Sequence, residues 1–134
     1  MIHKAFLTLI YDLNISELAY EVDSTTYYKV FNGLAPEDIE APFVSLYQIS
    51  SIEGTQSAYA KQRMQVSIYS ETYDEAKTIA CKVCEIANQN TAVLYNGTYW
   101  RFNNIKKISE AISYEENTKL YGLIMDFYID IENQ

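Results

Sequence analysis

The chain has 134 residues, 49% of them apolar, and carries 18 acidic against 10 basic side chains for a formal charge of −8. That length buries a core without metal or disulfide help and fits a single domain over residues 1–134, and the apolar fraction argues against a disordered chain. The scattered lysines and arginines argue against a surface that grips phosphate backbones, and no run approaches the roughly 18 apolar residues of a membrane span.

The opening stretch, "MIHKAFLTLIYDL", sets Ile2, Ala5, Phe6, Leu9, Ile10 and Leu13 at helical spacing, which predicts an amphipathic helix. Asp12 and the lack of a small-residue cleavage site separate it from a signal peptide, and synthesis in the cytoplasm is expected. "YYKVFNG", Tyr27 to Gly33, reads as a short strand ending at a turn. The acidic "LAPEDIEAP" reads as a loop, because each proline pushes its predecessor toward extended geometry. "FVSLYQISSIEG" is a strand with Phe43, Ser45, Tyr47 and Ile49 on one face and Val44, Leu46 and Gln48 on the other. "GTQSAYA" reads as the tip of a long hairpin whose return strand is "KQRMQVSIYS". There Met64, Val66 and Ile68 alternate with Gln65, Ser67 and Tyr69, which predicts one covered and one wetter sheet face.

A second helix follows. Thr72 is the expected N-cap and Glu75 the expected return partner of a capping box. Tyr73, Ala76, Ile79, Ala80, Val83, Ile86 and Ala87 form its apolar stripe, and the alanines allow close packing on a sheet. Asn96-Gly97 marks a two-residue hairpin. Its second arm runs from Thr98 into "NIKKISEAISY", where a bend or bulge is expected. The last stretch, "KLYGLIMDFYIDIE", is a strand with Leu123, Met125, Phe127, Ile129 and Ile131 on one face and Asp126, Tyr128 and Asp130 on the other. Together these elements predict an α+β fold: a mainly antiparallel sheet of four to five strands, two helices on one face, and a long β-hairpin.

Residues for chemistry are sparse. Cys81 and Cys84 form a C-x-x-C pair, but His3 is the one further strong zinc ligand, and a structural zinc site takes four. A redox pair sits at a helix N-terminus, where the dipole lowers the thiol pKa. This pair lies about two turns past the cap, so packing is its expected role. His3 is the single histidine, and Glu115-Glu116 and Asp126/Asp130 lack an accompanying nucleophile and oxyanion donors. No glycine-rich phosphate loop is present. Neither catalysis nor a cofactor or metal is expected. The 13 tyrosines, five phenylalanines and one tryptophan are numerous for this length. Tyrosine favours protein interfaces, since it joins a large apolar body to a polar tip. Equally, the abundance could be compositional. Stacking of single-stranded nucleic acid on these rings is opposed by the −8 charge.

The amphipathic first helix, the Pro-marked "EAPFVSLYQI", the strand-to-capped-helix segment "RMQVSIYSETYDEAKTIACKVCEIA" and the closing "LYGLIMDFYIDI" occur in the order found in one family. The chain resembles the tail-terminator or tail-completion proteins of long-tailed bacteriophages and related gene-transfer particles. Arg63, Val66, Ile68, Tyr73, Glu75 and Ala76 match the character of that family's middle segment, while the arginine usual near its final strand is missing from "TKLYGLI". The resemblance implies a non-enzymatic virion protein at the junction of tail and head. It would form a homo-oligomeric ring, usually a hexamer, that caps the tail tube protein and meets a head-completion or connector protein. DNA would pass through the ring without specific binding, which an acidic lumen favours. The hairpin from Ser50 to Lys61 and the second sheet face would then contact neighbouring subunits or the tube, through Tyr47, Ser57, Tyr59, Lys61, Tyr69 and Tyr128. Another connector, tail-tube or baseplate component, or a small phage regulatory or inhibitor protein, are the alternative readings.

Overall fold

The computed structural model describes the backbone of residues 2–53, 59–87 and 91–133. The first helix, α1, spans Ile2–Tyr11, and Asn14 in left-handed geometry (φ 53°) turns the chain away from it. Strands β1 (Ala19–Val22) and β2 (Thr25–Tyr28) form a separate two-stranded ribbon. This ribbon was not among the expected elements. Its turn is Asp23-Ser24, both at positive φ, so the hairpin closes without glycine. The predicted strand from Tyr27 to Gly33 is therefore two elements. Tyr27 and Tyr28 end the ribbon, and Val30–Asn32 is β3. At the junction the Lys29 N–H donates to the Leu18 carbonyl, while the Lys29 carbonyl accepts from the Val44 N–H, which pulls the chain into the main sheet.

That sheet has six strands, where four to five were expected: β3, β4 (Phe43–Glu53), β5 (Tyr59–Ser70), β8 (Leu120–Asn133), β7 (Thr98–Glu115) and β6 (Thr91–Tyr95), in that spatial order. β3 falls within the expected Tyr27–Gly33 strand and β6 is the first arm of the expected Asn96-Gly97 hairpin; which strands they border depends on where the chain returns and not on local pattern. β3 runs parallel to β4, and the other neighbours are antiparallel. The Asn96-Gly97 turn forms as expected, with both residues at positive φ. The expected irregularity beyond it consists of two register shifts in β7, at Phe102/Asn104 and Lys107/Ser109.

The two alternating strands meet in the centre. Met64, Val66 and Ile68 of β5 stand opposite Phe127, Met125 and Leu123 of β8. All six are buried, together with Val44 and Leu46 of β4 and Phe102 and Ile105 of β7. On this face lies the second helix, α2 (Tyr73–Val83), extended by a 3-10 turn at Cys84–Ile86. Ala76, Ile79, Ala80 and Val83 are buried against the sheet, as are Ala5, Phe6 and Ile10 of α1. The small alanines let α2 approach closely, while Phe6 fills the space toward Phe102 and Phe127, with ring centres 6.0 and 6.3 Å away.

Thr72 caps α2 as predicted, accepting from the Glu75 N–H at 3.2 Å. The expected capping box is altered, however. Ser70 Oγ stands between the partners, donating to Glu75 Oε1 (2.6 Å) and accepting from the Thr72 N–H (3.3 Å). Two charged tethers fix the helix laterally. Lys82 reaches Glu17 (2.8 Å to Oε2) and Lys77 reaches Glu110 on β7 (2.8 Å). Lys82 beside Glu17, and Lys77 and Lys107 beside Glu110, hold both carboxyls below the ordinary glutamate range.

A carboxyl that ionises more easily when folded stabilises the fold above its unfolded pKa, near 4.3. That contribution disappears as pH falls through the lower folded value. Glu17→Gln and Glu110→Gln should therefore show a shallower loss of stability than the parent between about pH 5 and pH 3, measured by urea unfolding at each pH. Phe127→Ala, at the centre of the core, should cost about 3–5 kcal/mol in the same assay.

Candidate assembly surface

With the helices on one face, the other face of the sheet is left to loops and solvent. Its residues are the second set of each alternating strand: Phe43, Ser45 and Tyr47 on β4, Arg63, Gln65, Ser67 and Tyr69 on β5, and Asp126 and Tyr128 on β8. Ser45 and Ser67 stand opposite one another and are fully buried. Such small side chains leave room above them, and the acidic loop after Gly33 occupies part of it. Gly33, at φ 79°, donates its N–H to the Leu46 carbonyl (2.8 Å) and swings that loop across the sheet. Leu34, Pro36 and Ile39 of the loop then face Phe43, Ser45, Tyr47 and Tyr69 across a cleft of about 310 Å³.

Aromatic rings build the wall. Phe43 stacks on Tyr69 with ring centres 5.0 Å apart, and Phe31 approaches Phe43 at 6.4 Å. Tyr69 lies beside Gly122, its partner on β8. A Cβ on Gly122 would come within 3.3 Å of the ring, so glycine there permits the ring to lie flat. Burial pushes the Tyr69 hydroxyl above the usual tyrosine range, and Tyr47 and Glu115 nearby add to the shift. Leu34, at the rim, is 87% exposed.

The middle of this face is polar. Asp126 accepts from Arg63 Nη2 and from Ser109 Oγ, each at 3.0 Å. Asn104 donates to Asp130 at 3.1 Å. These bonds tie β5, β8 and β7 together across their wetter side, each contributing on the order of 1 kcal/mol or less at such partly exposed sites.

The sequence-predicted contact residues separate into groups. Tyr47 and Tyr69 share the cleft. Tyr128 is on the same face but away from it, opposite Arg63 on β5 and Lys106 on β7, and 45% exposed. Tyr59 and Lys61 lie in β5 toward the hairpin tip, paired with Glu132 and Asp130. Ser57 lies outside the described residues. Phe43, Leu34 and Ile39 were not named as site residues; the signal for the last two was a pair of apolar side chains within an otherwise acidic loop.

The cysteine pair is divided. Cys81 is exposed, while Cys84 is half-buried with its Sγ 3.7 Å from Met125 Sδ. Burial pushes the Cys84 thiol up, the opposite of redox activation. Among the described residues no group of three or more His, Cys, Asp or Glu side chains is placed to hold a metal ion, and no helix is long and apolar enough to cross a membrane. This face thus combines an aromatic cleft over a floor of small residues at one end with a polar middle.

No protein-family model matches the sequence, and no curated protein does. Among solved structures the chain is similar to one described as "Virion of native gene transfer agent (GTA) particle". The two share 15% identity over 78% of each chain, with a TM-score of 0.61. At that identity the likeness shows a shared fold.

Tyr69→Ala should open the cleft wall and lower stability by roughly 1–2 kcal/mol, well below the cost of a fully buried phenylalanine. Urea unfolding measures the loss, and a change in the near-ultraviolet tyrosine signal reports the vacated wall.

Proposed function

We propose that this chain is a structural protein of a phage-like virion, and within that class the terminator or completion ring of a long tail. Copies would associate head to tail into a cyclic ring, a hexamer in the family the sequence resembles. The ring would seat on the tail tube protein, meet the head-completion or connector protein, and leave a channel for DNA. The observation that carries this reading is the fold shared with a chain of a gene transfer agent virion over 78% of both chains. The surface supports it. A face with an aromatic cleft and a polar middle suits association with protein, and a charge of −8 suits passage of DNA without adhesion. The role assigned is one of shape and self-association, with no bond-making step.

Particles purified from a producing strain should contain this chain in a few copies located where tail meets head, as seen in a particle reconstruction. Many copies along the tail would instead make it a tube subunit, and a chain missing from particles would contradict a virion role. Deletion of Thr55 to Ala60, with the purified chain still folded, should block tail joining and leave unjoined heads and tails by electron microscopy.

A further inference from the structure

The two sides of β7 are covered unequally. β6 pairs with β7 only through Thr98–Phe102, whereas β8 pairs with β7 as far as Glu115. From Asn104 to Glu115 the outer edge of β7 therefore has no strand beside it among the described residues. Every residue from Lys106 to Lys119 is exposed. Ile108, Ile112 and Tyr114 are 40%, 44% and 49% exposed. Strands of this length with free N–H and C=O groups and exposed apolar side chains pair with another chain unless something blocks them. No proline interrupts this one, and its register shift at Lys107/Ser109 leaves a regular run beyond it.

What the edge accepts is written in its own sequence, "KKISEAISYEE". Reversed upon itself about Ala111, lysines oppose glutamates at both ends, Ile108 opposes Tyr114, and Ser109 opposes Ser113. The register shift adjusts this without spoiling it. Lys107 and Ile108 together face Tyr114, and Lys106 comes opposite Glu115. On β8, Lys106 is paired with Tyr128 and Glu115 with Leu120, so both lie on the helix-free side of the strand. Neither Lys106 nor Glu115 has an ion-pair partner among the described residues. Glu110, which would face Ile112, already has its charge met by Lys77 and Lys107.

We propose that this edge binds the same edge of a second copy, antiparallel, around a two-fold axis at Ala111. Two six-stranded sheets then become one continuous sheet. Each opposed charge pair occurs twice by symmetry, which a foreign strand would have to reproduce by chance. The contact is isologous, so it is separate from the head-to-tail contacts of a ring, and its test is independent of them.

Sedimentation of the full chain at about 100 µM should show association that Lys106→Glu or Glu115→Lys alone weakens about tenfold or more. The double variant Lys106→Glu/Glu115→Lys, or an equimolar mixture of the two single variants, should restore it. Circular dichroism checks that each variant is folded. In a Cys81→Ser/Cys84→Ser background, Ala111→Cys should form a disulfide-linked dimer on mild oxidation much faster than Ser113→Cys, whose copies lie apart across the axis. A parent chain that stays monomeric, a charge swap that fails to restore association, or equal cross-linking at the two positions would each overturn the proposal.

Discussion

The pairing of β5 with β8 carries the molecule. Twelve consecutive residue pairs run from Tyr59↔Glu132 to Ser70↔Tyr121, and each strand alternates apolar and polar side chains in phase with the other. A slip of one residue would send Met64, Val66 and Ile68 to the face now held by Arg63, Gln65 and Ser67. Because the pattern has period two, the register and the identity of the core face are one decision. Both helices follow from it, since their apolar stripes have a single large surface on which to lie.

The other face inherits what the core does not use, and its character varies along the strands. Near the start of β4 the serines at 45 and 67 and the glycine at 122 create relief, and the Leu34–Ile39 loop and the Phe43–Tyr69 stack turn that relief into a cleft. Toward the middle, Asp126 gathers Arg63 and Ser109. A face with such features costs a monomer little, because its aromatic rings already shield one another. It also offers a partner a shaped apolar target with a polar border.

The edges add a second kind of valence. β6 covers one end of β7 and β3 covers one end of β4, so among the described residues the sheet keeps unpaired backbone at opposite corners. For the assembly role proposed above, exposed edges and a half-apolar face would be working surfaces. The same features in a lone enzyme of this size would be liabilities.

Much of this fold was legible without coordinates. Alternation in 61–70 and 120–132 marked two strands and their covered faces, Thr72 marked a helix start, and Asn96-Gly97 marked a turn. These are signals that act within a few residues. Tyr47, Tyr69 and Tyr128 lie on the face opposite the core, as their parity along each strand predicts. The ribbon at Ala19–Tyr28 has no such local mark, because Asp23-Ser24 adopts left-handed geometry that neither residue requires. The cleft has no local mark either, since it joins a loop at 34–39 to a strand at residue 69, and the free length of β7 depends on where β6 stops. By itself the sequence decided the two helices and the long alternating strands, and which side of each is apolar, through periodicities of two and 3.6. Only the tertiary structure decided which strands are neighbours and which edges stay open, because pairing is a choice among distant partners that local pattern leaves equal.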